Sequence, residues 1–441
     1  CIQDTVLLQK LVDQLYITQA QISMSNVTLV PFKFLIEKGQ QIKIFSQILK
    51  ETASLDFLVP SSPDSPYMED YEGATVLKPD QGAYYEPVII VDFEGLYPSI
   101  MTAHNLCHST IILDKKDLIE GTYNTFTWFD ATSQGDITYH YTKPEHFQGI
   151  LPKILGRLKE SRNEYKKKMK NAPTKDLKQI YNNNQLAYKV SMNSIYGFMA
   201  AQMLTCKPVA ATVTAIGRKM IKNTREFLEK EYAHLGCKTI YGDTDSVFFI
   251  CNTDLVKKYK KIAKIVLNTQ AEGGPEGDPI FELERKKLEE LKTQCIAEAI
   301  EIGKMAGEAA TVALFKKPIN LEFEKVYFPL ILLSKKRYIG MLYSNNATKP
   351  DYQDSKGIIL KRRDGTKILR DLYQGIIDII INLFLVTESG NASIINKIKT
   401  VIHRIVSSDT KDILDDIIIT KSYKGPSAYK NDNIPHVRSE E

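Results

Sequence analysis

Residues Lys238-Thr-Ile-Tyr241-Gly-Asp243-Thr-Asp245-Ser-Val247-Phe-Phe-Ile250 set two short apolar runs on either side of a turn that carries two aspartates. β-Branched and aromatic runs bounded by Gly, Asp and Ser predict a β-hairpin. Far upstream, Val88-Ile-Ile-Val91 predicts a buried strand ending on Asp92 and Phe93. Side chains on extended chain repeat every two residues, so Asp243 and Asp245 share a face, which Asp92 can join from a neighbouring strand. Carboxylates so placed are hard ligands for divalent cations. Two Mg2+ ions about 3.5–4 Å apart neutralise a polyanion and lower the pKa of an attacking oxygen. The chemistry predicted is transfer of a phosphoryl-type group.

Two other readings compete. An Asp-Thr-Asp turn can be simply a turn, since Asp caps its own backbone; the apolar strands on both sides weigh against this, because desolvated charge normally has a metal or a partner. Asp243-Thr-Asp245-Ser-Val247 also fits the DxDx[TV] pattern of aspartyl phosphohydrolases, with Asp243 as nucleophile and Asp245 as acid/base. That pattern wants a helix after the loop, whereas Val247–Ile250 continues as strand.

Outward from the hairpin, residues 4 to 58 repeat apolar positions every three and four and predict helices. Pro60-Ser-Ser-Pro-Asp-Ser-Pro66 predicts a linker. Leu151 to about Tyr181 is helical and basic with a break at Asn171-Ala-Pro173, and a second helix is expected from about Gln185 to Gly197. Residues 256 to 310 predict charged helix broken at Glu272–Asp278, and helix returns beyond about 365. At 441 residues, with 43% hydrophobic and 25% charged, the chain is a globular protein of about three domains, not a disordered one. Its best apolar run, Gly375–Val386, is too short for a membrane span and holds Asp378. Six cysteines, the closest pair 14 residues apart, predict reduced intracellular thiols rather than a disulfide or zinc framework. No start Met or signal segment is present, so the sequence is expected to be a piece of a longer protein.

The net charge of +5 is mild, but Leu151–Lys178 holds ten Lys or Arg against three acids. Arg162 and Lys166 share one helical face, and Lys189, Asn193 and Tyr196 share another. Several cations of this kind suit a triphosphate, and a Tyr ring suits stacking on a base. The run Lys166-Lys-Lys168 reads instead as a solvated surface. Lys335-Lys-Arg-Tyr338 and Lys361-Arg-Arg363 are short basic clusters suited to salt-sensitive contacts with a nucleic-acid backbone, or to nuclear import.

Taken together these residues resemble a family B DNA polymerase. Asp92-Phe-Glu-Gly-Leu-Tyr-Pro-Ser-Ile100 resembles motif A, Lys189-Val-Ser-Met-Asn-Ser-Ile-Tyr-Gly197 motif B, and Tyr241–Ser246 motif C. Tyr71-Glu-Gly-Ala74 resembles the link between exonuclease and polymerase modules. Lys335–Tyr338 is similar to the KKRY element, and Lys356-Gly with Arg362-Arg-Asp364 to the KG…RRD segment. Ala103–Cys107 and Leu321–Pro329 are most similar to the delta branch, with a large-DNA-virus replicative relative as the alternative. Cys1-Ile-Gln-Asp4 resembles the end of the third exonuclease motif, without the first and second.

The resemblance implies an α+β, right-hand architecture with a mixed or antiparallel palm sheet, a helical fingers hairpin and a helical thumb. It divides the chain into the end of an exonuclease domain with linker helices (1–70), palm with motif A (71–150), fingers with motif B (151–205), palm with motif C and a surface helical insertion at about 255–290 (206–345), and a truncated thumb (346–441). It implies that Asp92, Asp243 and Asp245 are catalytic. The same three would hold two Mg2+, which Mn2+ can replace, with the Phe93 carbonyl and Glu324 as further ligands.

For the deoxynucleoside triphosphate the implied contacts are Phe93, Leu96, Tyr97 as a sugar gate, Arg162, Lys166, Lys189, Asn193 and Tyr196. For primer–template DNA they are Lys335, Lys336, Arg337, Tyr338, Lys356, Arg362 and Arg363. The implied function is template-directed DNA synthesis in replication, with a 3′–5′ exonuclease in the full-length protein and a processivity factor or sliding clamp as partner. The implied place is intracellular: the nucleus for a cellular protein, the nucleus or a cytoplasmic replication site for a viral one. One departure stands out: Glu94-Gly95 occupies positions where motif A usually has small residues.

Overall fold

The computed structural model describes residues 2–59, 71–132, 134–199, 204–271, 279–358, 360, 365–382 and 388–418. The Pro60–Pro66 linker, the Glu272–Asp278 break and Lys361–Asp364, with Arg362 and Arg363, lie outside the described residues. The first half of the chain forms α1 (Ile2–Gln14), α2 (Ile17–Thr28), α3 (Phe32–Glu37), α4 (Gln41–Ser54), β1 (Gly82–Tyr84), β2 (Val88–Phe93), α5 (Leu96–His104), β3 (Ile111–Ile112), β4 (Tyr123–Asp130), β5 (Gly135–Thr142), α6 (Ile150–Lys170) and α7 (Lys175–Met199). The second half forms α8 (Lys207–Glu231), β6 (Lys238–Asp243), β7 (Ser246–Ile250), α9 (Asp254–Ala271), α10 (Pro279–Leu314), β8 (Leu321–Ser334), β9 (Arg337–Tyr343), β10 (Tyr352–Lys356), α11 (Lys367–Asn382), α12 (Glu388–Ser407) and α13 (Thr410–Ile417). This mixture of helices and antiparallel sheet is α+β. Among the described residues no helix is long and apolar enough to cross a membrane.

The chain divides into two compact units. The first comprises residues 1–75, 93–224 and 310–321 and is mainly helical, with a three-stranded sheet in the order β3-β5-β4. Its centre is the α6–α7 hairpin. Leu151, Ile154, Leu155 and Leu158 on α6 recur at helical spacing and are all buried, as are Ala187, Ile195 and Phe198 on α7. Each such leucine contributes about 1.5–3 kcal/mol on burial. Tyr165 stacks on Tyr188 with ring centroids 5.7 Å apart. The buried Glu51 of α4 is held by Lys153 and, at 3.1 Å, by Arg157. The second helix of the hairpin starts at Lys175, ten residues earlier than expected. The reason is local: the Thr174 hydroxyl accepts the Leu177 amide at 3.2 Å, capping the new helix directly after Pro173.

The second unit comprises residues 76–92, 225–309 and 322–441. Its seven-stranded sheet has the order β10-β9-β8-β2-β7-β6, with β1 also paired to β8. Val88, Ile90, Ile240, Tyr241, Phe248, Tyr327, Leu330 and Tyr338 form one buried cluster. Ile331 and Ile339, on the opposite side of their strands, pack with Ile377 of α11. Gly303 allows α10 to approach the sheet, since a Cβ there would stand 2.4 Å from the Phe323 ring and 2.8 Å from Ile89. The expected surface insertion at 255–290 differs in its first half: Val256, Tyr259, Ala263 and Val266 are buried, and Tyr259 meets Phe328 edge-on at 5.3 Å. Its apolar stripe makes α9 part of the core.

Candidate active site

In the second unit the strand register decides where the acids stand. Asp92 on β2 pairs with Ser246 on β7, and Ser246 pairs in turn with Asp243 on β6. Directly paired residues of antiparallel strands face the same way. Asp92 and Asp243 therefore share a sheet face, one strand apart on either side of Ser246. It is the face of Val88, Ile90, Tyr241 and Phe248, so the carboxylates stand where an apolar surface ends.

Asp245 sits in the turn. Its amide donates to the Asp243 carbonyl at 2.6 Å, closing a three-residue loop around Thr244, whose φ is 57°. A β-branched residue in the left-handed region is uncommon, and such strain concentrates at functional turns. Burial pushes the Asp245 carboxyl pKa up, and the neighbouring charges of Asp243 and Glu324 push the same way, against its own backbone amide and Lys336. Glu324, on β8, pairs with Lys325 at 3.2 Å.

Asp243 is held from three sides: it accepts from the Tyr241 hydroxyl at 3.2 Å and the Thr244 hydroxyl at 3.2 Å, and Lys336 Nζ lies 3.3 Å away. The Tyr241 hydroxyl also accepts the Lys336 amide at 2.8 Å, and burial pushes its own pKa up to about 12. Lys336 occupies the turn between β8 and β9 with φ 60°, and a Cβ on Gly357 would stand 2.2 Å from its carbonyl oxygen. Segments called similar to KKRY and KG are thus packed onto the Asp243 hairpin. Lys335, Lys336 and Arg337 are exposed, and Lys356 is exposed and pairs with Asp354 at 3.4 Å. Tyr338 differs from its basic neighbours: it is 8% exposed, with its ring among Tyr241, Phe248 and Tyr327. It supports the turn from inside the core and does not present its ring to a ligand.

Among the described residues, no three His, Cys, Asp or Glu side chains are drawn together as a ready metal cage. The donor set nevertheless has the chemistry of one: hard carboxylates on one face, mutually repelling, with a lysine ammonium against Asp243 as the balancing cation.

The first unit gathers the opposite charge. Lys159, Arg162 and Lys166 lie on one face of α6, and all three reach Glu94, at 3.5, 3.5 and 3.6 Å. Burial works to raise the Glu94 pKa, but Lys159, Lys166 and Arg162 outweigh it and hold the carboxyl below its ordinary value. A cavity of about 400 Å³ is lined by Arg162, Lys166, Lys167, Lys170 and Lys189 together with Met169, Gln185 and Leu186. Asn193, one turn beyond Lys189 on α7, is exposed.

The backbone of Glu94 is fixed by its amide to the Asn320 carbonyl at 3.0 Å. Gly95, φ 57°, turns the chain into α5, whose positive end at Leu96 and Tyr97 favours an anion. The rings of Tyr97 and Tyr196 lie 4.3 Å apart, and the Tyr196 hydroxyl meets that of Tyr71 at 3.2 Å. The Phe93 ring is buried against Phe315, 5.1 Å away.

Two partners escaped the sequence reading. Lys159 stands three residues before Arg162 and seven before Lys166, a helical spacing that could have revealed it. Arg218 of α8 pairs with Glu72 at 3.3 Å and donates to the carbonyls of Glu72 and Gly73 at 2.6 and 2.8 Å. Nothing local in the sequence marks that long-range contact.

Comparison with known proteins identifies the class. The profile of DNA polymerase family B matches residues 30–271 and 288–439, and the chain belongs to that family. It is 36% identical over 454 aligned positions to the DNA polymerase delta catalytic subunit of Plasmodium falciparum, covering 99% of this chain and 36% of that protein. It is 34% identical to the delta catalytic subunit of Candida albicans, over 86% of this chain and 33% of that protein. To the DNA polymerase of Pyramimonas orientalis virus it is 32% identical, over 97% of this chain and 37% of that protein. The chain spans about a third of the length of these relatives. The gap between the two matched segments, 272–287, is narrower than the insertion expected at about 255–290.

Proposed function

We propose that this chain forms the nucleotidyl-transfer module of a replicative DNA polymerase, adding deoxynucleotides to a primer 3′ end under direction of a template. The observation that carries the reading is the register Asp92–Ser246–Asp243, which sets two carboxylates from distant sequence on one sheet face beside Asp245. In this reading β1, β2 and β6–β9 belong to the palm (71–150 and 206–345), the α6–α7 hairpin to the fingers (151–205), and residues 346–441 to the thumb.

Asp92, Asp243 and Asp245 would hold two Mg2+ or Mn2+ ions, with the Phe93 carbonyl as a further ligand and Glu324 outside them. The ions would neutralise the triphosphate and make the primer hydroxyl easier to deprotonate. The chain's own residues do the positioning. Arg162 offers a planar fork and Lys166 and Lys189 point charges to the phosphates, with Asn193 beside them. The N-terminus of α5, at Leu96 and Tyr97, adds backbone dipoles. Tyr97, packed against Tyr196, closes the space a ribose 2′-hydroxyl would need. Lys335, Lys336, Arg337 and Lys356 contact the DNA backbone, with Arg362 and Arg363 joining from the RRD segment; such contacts carry no sequence information. When DNA takes Lys336, Asp243 loses its internal cation, which couples primer binding to readiness of the acids.

On the same reading the protein would work at sites of DNA replication, with primer–template DNA, deoxynucleoside triphosphates and a processivity factor or sliding clamp as proposed partners. A 3′–5′ exonuclease of the full-length protein is represented here by the Asp4 match alone.

The rival phosphohydrolase reading needs a helix after the DxD loop, and β7 stands there instead. The deciding measurement is primer extension with Mg2+. Asp243→Asn is expected to reduce extension by on the order of 10³-fold, the upper range for loss of one transition-state electrostatic partner, with DNA binding retained. Template-independent activity, or extension unaffected by the substitution, would sink the assignment.

A further inference from the structure

Glu94 bears one negative charge against three cations. Its carboxyl is 3.5 Å from Lys159, 3.5 Å from Arg162 and 3.6 Å from Lys166, and the side chains of Glu94 and Arg162 are only 23% and 13% exposed. Lys159, Arg162 and Lys166 share a helix face, so without a counter-ion they would repel one another and splay. The cavity lined by Arg162, Lys166, Lys167, Lys170 and Lys189 keeps a large positive excess even with Glu94 in place.

From this geometry we infer that Glu94 is a displaceable internal anion of the nucleotide site, which keeps the cations assembled and sets a charge threshold for the ligand. A ligand must compete with Glu94 for Arg162 and Lys166. A triphosphate carries enough charge to win both cations, whereas one phosphate group gains little over the carboxylate it displaces. Partly exposed ion pairs are individually weak, so the three together tune affinity several-fold and do not block binding. Glu94 is therefore a specificity-determining and positioning residue. Its carboxylate penalises weakly charged phosphate ligands most, and so favours departure of a product that carries less charge than the substrate.

The inference rests on the nucleotide-site reading above, and its test is separable from it. Inorganic tripolyphosphate and orthophosphate are titrated calorimetrically into the full chain, wild type and Glu94→Gln. The variant is expected to bind tripolyphosphate several-fold more tightly and to gain more for orthophosphate, narrowing the ratio between the two. Glu94→Asp, which keeps the charge, is expected to restore the wild-type ratio, and serves as the comparison with Glu94→Ser should the glutamine variant fold poorly. In primer extension Glu94→Gln should lower KM for the nucleotide with kcat little changed. Unchanged or weakened anion binding in Glu94→Gln, or a fall in kcat with KM constant, would overturn the inference. Anion binding that follows the expected order in a chain unable to extend a primer would uphold it while removing the polymerase reading.

Discussion

The two compact units handle charge in opposite ways. In the sheet-centred unit, carboxylates are gathered at the end of a buried face: Asp92 and Asp243 are pinned by strand pairing, and Asp245 by a strained turn around Thr244. In the helical unit, cations are gathered on one face of α6 and around a cavity, with exposed side chains at Lys167 and Lys189 and the acid Glu94 set among Lys159, Arg162 and Lys166. A sheet register admits no sliding without turning every side chain over, so it suits groups whose spacing must be exact to fractions of an ångström. Long side chains on helices adjust, which suits a polyanionic ligand that arrives and leaves. The contrast predicts a division of labour: damage to the acids abolishes turnover, while damage to the cations weakens affinity.

The sharpest way to break that contrast is to set Asp243→Asn beside Arg162→Ala. The first should lower extension by on the order of 10³-fold at any nucleotide concentration. The second removes charge-assisted bonds worth about 1.5–3 kcal/mol, so KM for the nucleotide should rise roughly 10- to 100-fold with part of kcat retained. A rise in KM from the aspartate variant that saturating nucleotide rescues would contradict the division.

Tyr97→Ala sharpens the picture within the helical unit. Opening the space beside Tyr196 should raise ribonucleotide incorporation relative to deoxynucleotide by roughly tenfold or more, the scale of discrimination from a small steric difference. An unchanged ratio in competition assays would remove Tyr97 as the sugar gate.

Lys336→Ala tests the tie between the β8–β9 turn and Asp243. DNA affinity should weaken evenly across sequences, and the dependence of log K on log salt should become shallower by about 1. A sequence-dependent loss would point away from backbone contact.

The smallest effect is expected inside the sheet. Tyr327 donates to Asp354 at 2.5 Å, and both are buried. Burial works to raise the Asp354 pKa, but the Tyr327 hydroxyl, Lys356 and Lys325 hold it below its ordinary value of 3.8. A carboxyl whose pKa is depressed on folding stabilises the fold above its unfolded pKa and loses that contribution as pH falls through the folded value. Tyr327→Phe should therefore cost about 1–3 kcal/mol in denaturant unfolding at pH 7, for an unsatisfied buried acceptor, with the difference from wild type shrinking as pH falls through the lowered folded-state value of Asp354. An equal penalty on either side of that value would show that packing, and not the hydrogen bond, sets the cost.

Much of this could be read from residues alone. The β-branched and aromatic runs around Asp243 and before Asp92 predicted the strands, and the motifs carried the family. Other features could not be read locally. Thr174 moved the start of α7, because a cap bond spanning three residues outweighed composition. Tyr338 looked like a ligand contact beside three basic residues, yet alternation along β9 turns it into the core. Glu94 looked like a departure from motif A, and only the fold shows what balances it.

By itself the sequence determined which groups are available: three acids on or beside short strands, a basic helical hairpin, and glycines where the chain must turn. Local propensity and side-chain period are properties of neighbouring residues, so they can be read in order. Which acids face together, which lysine answers Asp243 and which cations close on Glu94 were decided by the tertiary structure. Coulomb energy and desolvation depend on distances through space, and strand pairing and helix packing set those distances between residues as far apart in the chain as Asp92 and Asp243.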